Sequence, residues 1–344
     1  MDNDESEKAE AALQFMSAKS PSLPLGTTVQ GKCGGGEYVL MSMVAKGGFG
    51  EVYKDDQRRV ALKRSIWHKP PQARTLRARE AKVSATIVNL QDGHALPSPR
   101  STVATLLDQQ RKRLLNFEHE TKIYFSTFLN NQDSRHLTCV HDVALARNSD
   151  NQLEPLLVFE LAGGLVTGSW HVTLASWLRE HRWTTEHLRE RLSFGIQMFS
   201  GLCELHDGTV AGHPESTVST QPLCVHQDMK GDNMLLFGDA PRTRLALTDF
   251  GLATTPNQAD SVRGGTPCYK APEQLQHAPV RTSGRDIWAA GMVLARLFGG
   301  AHTKEAVETY RQYSRCKMET GKMYELAREI SQALETDAAA GWFM

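Results

Sequence analysis

The sequence has 344 residues, of which 40% are apolar and 23% are charged, as in ordinary soluble globular proteins. Lys and Arg together number 39, as do Asp and Glu, so the net charge is zero and we expect neither nucleic acid nor a membrane as a partner. No apolar run approaches the roughly 20 residues that cross a bilayer. The six scattered cysteines lack zinc-ligand spacing and indicate reduced thiols, so we expect a cytoplasmic protein, with a nuclear location left open.

The chain begins with a polar segment, residues 1–37, that becomes rich in Ser, Pro and Gly. Such a composition predicts a flexible leader. A strand-like run starts at Tyr38, breaks at the glycine-rich residues 47–50 and resumes at residues 51–53. A further short strand is predicted at Val60–Lys63. This pattern is typical of antiparallel strands joined by a glycine-rich turn.

Residues 64–115 differ in composition from their surroundings. They carry ten Lys or Arg side chains against three acidic ones. The excess of positive charge predicts an insertion that binds an acidic or phosphorylated partner, and a functionless solvated loop is the alternative.

Periodicity changes after the insertion. Apolar residues recur at helical spacing from about Thr102 to Leu129, and residues 156–159 form a run typical of a buried strand. Helical patterns then dominate, at residues 174–181, 188–206, 287–298 and 306–334. Strands that precede helices predict an α+β protein with two lobes of different class.

Five motifs follow one another along the chain. They are Lys46–Val52 with three glycines, Val60–Lys63, His226–Asn233, Asp249–Gly251 and Ala271–Glu273. Glycines let a backbone approach phosphates closely, while a lysine and carboxylates can hold phosphate and magnesium. The five motifs occur in this order and at plausible separations, so their joint occurrence by chance is negligible.

The set of motifs resembles that of the eukaryotic protein kinases, from about Tyr38 to Asp337. The resemblance implies the bilobal protein kinase fold, with a β-rich N-lobe at residues 38–162 and a mainly helical C-lobe at residues 163–344. It also implies ATP and Mg²⁺ as cofactors and protein substrates as partners.

The resemblance assigns the phosphate-binding residues in the N-lobe. Lys63 is expected to contact the α- and β-phosphates and to pair with Glu120, since Ile123 and Tyr124 would then face the core one turn later. Glu118 is the alternative partner. The phosphate loop is expected to comprise Ala45, which replaces a family glycine, together with Gly47, Gly48, Phe49 and Gly50.

The resemblance also assigns the catalytic residues. Asp228 is expected to accept the proton of the substrate hydroxyl, and Lys230 to steady the γ-phosphate. Asn233 and Asp249 are expected to hold the magnesium ion. Asp286 is expected to anchor the backbone of the catalytic loop, which makes it a structural residue.

The adenine pocket is expected at a hinge between the lobes. Phe159 would be the gatekeeper, and the Glu160 carbonyl and the Ala162 N–H would meet the adenine edge. The apolar side chains expected to enclose the purine ring are Val52, Ala61 and Leu235.

Two features favour serine and threonine over tyrosine as acceptors. Lys230 matches the serine/threonine pattern, and Gly265–Lys270 resembles the loop that contacts the residue after the acceptor. In that loop Thr266 is expected to bond Asp228 and Lys230.

Besides Ala45, two further departures from the family concern the activation loop and the end of the C-lobe. Gln227 replaces an arginine that usually pairs with an activation-loop phosphate, which predicts a weak dependence on phosphorylation of Thr254, Thr255 or Ser261. Gly341 stands where an arginine is expected to pair with Glu273. We therefore expect a C-lobe shortened at its end and less stable for it.

An active serine/threonine kinase is therefore the first hypothesis. A pseudokinase that only binds ATP or acts as a scaffold is the alternative, but Lys63, Asp228, Asn233 and Asp249 are all retained. A small-molecule kinase is disfavoured, because Ala271–Glu273 resembles the segment that shapes a peptide-binding surface.

Overall fold

The computed structural model describes residues 22–32, 35–46, 50–65, 120–121, 123–124, 134–148, 153–163, 172–181, 187–207, 224–254, 265–275, 283–315 and 320–339. The chain divides into two compact units. The first comprises Met1–His119 and His141–Phe159, and the second comprises Glu120–Val140 and Glu160–Met344. The first unit is built on a β-sheet and the second is mainly helical, which confirms the predicted α+β class. Residues 120–140 belong to the second unit, although the predicted N-lobe included them.

The described strands of the first unit form one sheet of seven strands with the order β2-β1-β6-β7-β5-β4-β3. Their bounds are Thr28–Gly31 (β1), Glu37–Val39 (β2), Ser42–Lys46 (β3), Gly50–Asp55 (β4), Val60–Ser65 (β5), Val140–Arg147 (β6) and Leu153–Glu160 (β7). β4 pairs antiparallel with β3 and with β5, as the glycine-rich pattern predicted. The apolar core against this sheet consists of Leu23, Val29, Leu40, Tyr53, Leu62, Ala144, Ala146, Leu156 and Val158.

The flexible leader predicted for residues 1–37 includes residues that belong to the folded first unit. Thr28–Gly31 is a strand that pairs with both β2 and β6, and Leu23 is buried with its N–H donating to the Tyr53 hydroxyl at 2.8 Å. The polar composition did not indicate a strand, and one of its two pairing partners, β6, lies more than a hundred residues away in sequence. Residues 1–21 lie outside the described part of the chain.

The start of the predicted insertion also needs correction. Arg64 and Ser65 are the last residues of β5, where they pair with Glu51 and Gly50 on β4. Arg64 is only 1% exposed, so its charge does not belong to a solvated basic segment. Residues 66–115 lie outside the described residues, and their role stays a prediction.

Arg64 occupies a buried ionic cluster in the first unit. Its Nε and Nη2 atoms donate to the two oxygens of Glu154, and its Nη1 atom donates to Glu51 Oε2 at 3.1 Å. Asn148 Nδ2 donates to Glu154 Oε1 at 2.9 Å. A buried charge is tolerated when it is paired and hydrogen-bonded in this way, and removal of one partner from such a pair costs about 3–5 kcal/mol.

Glu51 is fully buried and accepts from several donors. Burial by itself raises the pKa of the Glu51 carboxyl, but hydrogen bonds from Lys46, Ser22 and Tyr53 and the charge of Arg64 lower it to about 2. The Ser22 hydroxyl donates at 2.7 Å and the Tyr53 hydroxyl at 2.8 Å. These bonds tie the residues that precede β1 to β4.

The helices of the second unit largely match the predicted pattern. Their bounds are Leu174–Glu180 (α1), Leu188–Asp207 (α2), Pro272–Leu275 (α3), Gly284–Phe298 (α4), Ala301–Arg315 (α5) and Thr320–Ala339 (α6). The predicted helical region 306–334 is shared between α5 and α6. At the start of α1, Thr173 and Ser176 bond each other's backbone N–H groups in a capping box.

A two-stranded antiparallel hairpin, β8 (Met234–Phe237) and β9 (Arg244–Leu247), packs against α2. The approach is close at Gly201, where a Cβ atom would lie 2.8 Å from the carbonyl oxygen of His136 and 3.1 Å from the Leu247 side chain. A side chain at position 201 would therefore push β9 away from the helix. The hairpin matters because its two ends carry the predicted metal-binding residues.

Asp337, near the end of α6, caps the start of α5. It is fully buried, and its Oδ2 atom accepts from the Thr303 N–H at 2.9 Å and from the Thr303 hydroxyl at 2.6 Å. Its Oδ1 atom lies 2.9 Å from His302 Nδ1. Burial raises the pKa of Asp337, but these hydrogen bonds outweigh it and lower the pKa to about 2.

Within the described residues, no helix is both long and apolar enough to cross a membrane.

We expect Asp337→Asn to lower the free energy of unfolding by about 1–2 kcal/mol at neutral pH, as for loss of a helix cap. The folded pKa of about 2 lies below the unfolded value of about 3.9. The contribution of the carboxylate is therefore complete above the unfolded pKa and is lost as the pH falls through the folded pKa. Chemical unfolding of both proteins between neutral and acidic pH measures this difference.

The exposed Glu335 on the same helix provides the control, because Glu335→Gln removes a charge without removing a cap. A difference between wild type and Asp337→Asn that stays constant down to pH about 2 would contradict the assigned role.

Candidate active site

The catalytic-loop aspartate is held by donors on both of its oxygens. Asp228 Oδ1 accepts from the Thr266 N–H at 2.7 Å and from the Thr266 hydroxyl at 2.8 Å. Asp228 Oδ2 accepts from Lys230 Nζ at 2.7 Å and from Asn233 Nδ2 at 3.2 Å. The Lys230 ammonium also donates to the Thr266 hydroxyl at 2.9 Å. The structure therefore brings together the predicted residues Asp228, Lys230, Asn233 and Thr266, with Thr266 bonded as predicted.

The backbone of this loop is anchored by Asp286, on the first turn of α4. Asp286 is 1% exposed; its Oδ2 atom accepts from the His226 N–H at 2.7 Å, and its Oδ1 atom accepts from the Gln227 N–H at 2.9 Å. Gln227 has a φ of 67°, a left-handed conformation that costs energy for a residue with a side chain. The predicted anchoring role of Asp286 is confirmed.

Sequence reasoning missed a third group on this anchor. His206 Nε2, near the end of α2, lies 2.9 Å from Asp286 Oδ2, and both side chains are buried. The only sequence signal was a histidine on the buried face of a predicted helix, which does not by itself distinguish a hydrogen-bond partner from a packing residue.

A second histidine couples the catalytic loop to the Asp-Phe-Gly segment. His226 is fully buried, with its Nε2 atom 2.9 Å from the carbonyl oxygen of Thr248 and its ring 5.0 Å from the ring of Phe250. Phe250 in turn packs edge-on against Tyr124 at 5.2 Å between ring centroids. Ile123 and Tyr124 are buried, as the choice of Glu120 over Glu118 required.

The two predicted metal-binding residues flank the β8–β9 hairpin. Asn233 precedes β8 and Asp249 follows β9, and the Thr248 N–H donates to the Asn233 carbonyl at 3.0 Å. Asp249 has a φ of 65°. A Cβ atom on Gly251 would lie 3.6 Å from Asp249 Oδ1 and 3.9 Å from Glu120 Oε2, so these carboxylates approach the same glycine.

The oxygen atoms of Asn233 and Asp249 fit magnesium. Mg²⁺ prefers carboxylate and carbonyl oxygens and usually binds through one or two carboxylates plus substrate phosphates. Asn233 uses its Nδ2 atom to donate to the Asp228 backbone and side chain, which leaves its amide oxygen as the group suited to a cation. Within the described residues, there is no group of three or more His, Cys, Asp or Glu side chains that could hold a metal ion.

The predicted phosphate and adenine residues of the first unit share one face of the sheet. Val52 lies opposite both Ala45 and Lys63, and Ala61 is two residues before Lys63 on the same strand. Alternation along the strands puts Tyr53 and Leu62 on the other face, in the core. At Gly50 a Cβ atom would lie 2.6 Å from the Arg64 carbonyl oxygen, so glycine is required there. Gly47, Gly48 and Phe49 lie outside the described residues.

The predicted hinge residues run beside β8 in the second unit. The Gly163 N–H donates to the Leu236 carbonyl at 2.8 Å, so Ala162 lies next to the strand that carries Leu235. The Glu160 side chain pairs with Arg244 on β9. Phe159 is buried at the end of the first unit.

Other predicted contacts join residues of different units and stay predictions. They are the pairing of Lys63 with Glu120 and the enclosure of adenine by Val52, Ala61 and Leu235.

Gln227 has a neutral partner in place of a phosphate. Its Nε2 atom donates to the Thr254 hydroxyl at 2.5 Å, and Val225 and Thr254 exchange two backbone hydrogen bonds. Thr254 is 1% exposed, so its hydroxyl is part of the packed structure rather than an accessible phosphorylation site. Thr255 and Ser261 lie outside the described residues, as does Gly341, and the Glu273 side chain is likewise not described.

This geometry agrees with a comparison against protein families. The family model described as "Protein kinase domain" matches residues 129–338. Because this match covers more than half of the chain, the chain belongs to the protein kinase family.

Individual relatives match a shorter stretch. The chain is 37% identical over 95 residues to calcium/calmodulin-dependent protein kinase type II of Caenorhabditis briggsae, which is 27% of this chain and 18% of that protein. It is 41% identical over 76 residues to serine/threonine-protein kinase chk-2 of Caenorhabditis elegans, or 22% and 16% of the two chains. It is 34% identical over 99 residues to serine/threonine-protein kinase H1 of Homo sapiens, or 27% and 23%. The matches span less than a quarter of these relatives.

We expect Asp286→Asn to loosen the start of the catalytic loop. An amide offers one acceptor oxygen where the carboxylate offers two, so one of the N–H groups at residues 226 and 227 loses its bond. Amide hydrogen exchange at these positions should accelerate at least about tenfold, and the free energy of unfolding should fall by about 2–4 kcal/mol.

Asp232→Asn serves as the control, because Asp232 lies exposed on the same loop. Unchanged exchange at residues 226 and 227 in the Asp286 variant would show that the anchor is not required.

Proposed function

We propose that the chain transfers the γ-phosphate of Mg-ATP to serine or threonine hydroxyls of protein substrates. The observation that carries the proposal is the set of bonds around Asp228, which joins a catalytic carboxylate to Lys230, Asn233 and Thr266. Membership of the protein kinase family and relatives named as serine/threonine kinases support it.

The hydrogen bonds that the Asp228 carboxylate already accepts indicate how the site would respond to substrate. A carboxylate has about four lone-pair sites, and those of Asp228 already accept from Thr266, Lys230 and Asn233. A substrate hydroxyl must therefore displace one donor. Lys230 is the donor most able to leave, because its side chain is long and flexible and a γ-phosphate offers it a stronger charge.

The reaction then needs few movements of the protein. The substrate oxygen forms a bond to the γ-phosphorus, the bond from that phosphorus to the β–γ bridging oxygen breaks, and Asp228 takes the hydroxyl proton. Magnesium held by Asn233 and Asp249 would neutralise charge that develops on the phosphate oxygens. Lys63 would orient the α- and β-phosphates.

A pseudokinase that binds ATP without turnover is the second candidate. It would need the same nucleotide-binding residues but not the arrangement around Asp228. Asp228 is bonded to both Lys230 and Thr266, and Lys230 also donates to Thr266. Binding of ATP alone would not require these bonds. The geometry therefore favours turnover.

We propose that the basic residues between 66 and 115 bind an acidic or phosphorylated partner, since they retain nine of the ten positive charges assigned to the insertion after Arg64 is placed in the core. Scattered cysteines support a cytoplasmic location.

We expect Lys63→Met and Asp249→Ala to lower the rate of phosphate transfer to a generic protein substrate by at least about 10²–10³-fold, because each removes charge stabilisation of the transition state. Transfer of radiolabelled γ-phosphate measures the rate.

Lys54→Met and Asp239→Ala are the matched controls, with Lys54 paired to Asp56 at 2.9 Å and Asp239 between β8 and β9. Turnover at the wild-type rate in either active-site variant would refute the assignment, provided that all four proteins unfold at similar temperatures.

We expect ATP to stabilise the protein only when magnesium or manganese is present. At a concentration 100 times its dissociation constant, a ligand adds about 2.7 kcal/mol to the free energy of unfolding. Thermal unfolding with ATP plus magnesium and with ATP plus a chelator measures the metal dependence. An equal shift in both would favour the pseudokinase.

A further inference from the structure

Lys46 belongs to the glycine-rich motif, yet its side chain lies on the face of the sheet away from the predicted nucleotide-binding residues. Ala45 and Val52 are paired across β3 and β4 on the face that carries Lys63. Lys46 is paired with Glu51, one position along each strand, and successive side chains of a strand point to opposite faces. The Lys46 ammonium is therefore directed at the Glu51 carboxylate, with Nζ donating to Oε1 at 2.5 Å.

A serine that precedes β1 completes this contact. The Ser22 hydroxyl donates to Glu51 Oε1 at 2.7 Å and accepts from Lys46 Nζ at 2.9 Å. The three side chains thus form a closed set of hydrogen bonds, which we call the Ser22 triangle. Ser22 is held in place by its neighbour, because Leu23 is buried and its N–H donates to the Tyr53 hydroxyl at 2.8 Å.

The Ser22 triangle joins the strands on either side of the glycine-rich turn. Lys46 is the last residue of β3, and Glu51 is the second residue of β4. The other oxygen of Glu51 accepts from Arg64 Nη1 at 3.1 Å, and Arg64 directly follows Lys63 on β5. A single carboxylate is therefore bonded to side chains from both of the strands that flank β4. All three strands carry residues predicted to bind the nucleotide.

The exposure of these groups separates a local effect from a global one. The Glu51 side chain is fully buried, whereas the Lys46 side chain is 46% exposed. An ion pair with one half-exposed partner contributes little to the free energy of unfolding. Removal of Lys46 or of the Ser22 hydroxyl should therefore leave the sheet folded and release mainly the ends of the glycine-rich turn.

We propose that Ser22 and Lys46 are positioning residues for ATP, which hold the two ends of the glycine-rich turn through Glu51 without touching the nucleotide. The proposal rests on the proposed kinase function. Binding to a loop that is already held costs less conformational entropy than binding to one that must be ordered. Loss of the Ser22 triangle should therefore weaken ATP binding and raise KM for ATP. It should leave kcat and KM for the protein substrate nearly unchanged.

The test uses the full chain and measures both KM for ATP and Kd for Mg-ATP. We expect Ser22→Ala and Lys46→Met each to raise both constants about fivefold to tenfold, as for loss of a charge-assisted hydrogen bond. Ser22→Thr keeps the hydroxyl and Lys46→Arg keeps the charge, so both should stay close to wild type. Affinity for adenosine should not change in any variant, because adenosine has no phosphates.

An ion pair at the other end of β4 provides the matched control. Asp56 lies just after the strand and pairs with Lys54 at 2.9 Å. Asp56→Asn should leave KM for ATP at the wild-type value, because this pair does not join the ends of the glycine-rich turn.

A double variant shows whether Ser22 and Lys46 act together. Both side chains act through Glu51, and residues of one hydrogen-bonded network have non-additive effects. Ser22→Ala combined with Lys46→Met should therefore raise Kd for Mg-ATP no further than the more affected single variant. If the two effects multiply, the residues act independently and the inference is wrong.

Three other outcomes would overturn the inference in variants that unfold at the wild-type temperature. Both single variants could leave Kd for Mg-ATP unchanged, or lower kcat alone, as for a general loss of structure. Lys46→Met could also raise Kd while Ser22→Ala does not, which would mean that Lys46 acts directly on the phosphates. Because Kd is measured without turnover, a wild-type protein that binds Mg-ATP in a Ser22-dependent way but transfers no phosphate refutes only the proposed function.

Discussion

The catalytic loop depends on one buried carboxylate. Asp286 accepts the backbone N–H groups of His226 and Gln227, which a left-handed turn keeps out of helix and sheet ladders. Without an acceptor, each N–H would be buried at a cost of about 1–3 kcal/mol. Because Asp286 belongs to a 15-residue helix, the direction of Asp228 is set by the packing of that helix. The geometry of the catalytic loop thus depends on α4, a helix that contributes no catalytic residue.

The same arrangement explains which residues could be predicted from the sequence. Asp228, Asn233 and Thr266 were predicted because their motifs resemble those of the protein kinases, and the folded loop brings their side chains together. Asp286 was predicted from the same resemblance, as a structural anchor of the loop. Such residues have few chemical substitutes, so their identity alone is informative.

Other features depend on contacts that no local pattern reveals. The strand at Thr28–Gly31 is polar and short, and its hydrogen bonds come from β2 and, from a distant part of the chain, from β6. Arg64 looks like the first charge of a basic segment, but Glu51 and Glu154 compensate it inside the sheet. His206 likewise acquires its role from a neighbour on another element, Asp286 on α4. Composition describes a residue, whereas burial and pairing belong to the assembled structure.

The bond from Gln227 to Thr254 has a consequence of its own, because neither partner carries a charge. Dissolved salt weakens attraction between ions over about 10 Å at 0.1 M, but it has little effect on a buried bond between an amide and a hydroxyl. The contact between the catalytic loop and the residue three positions beyond Gly251 should therefore withstand changes in ionic strength. It forms when the chain folds, needs no other enzyme to complete it, and cannot be removed by a phosphatase.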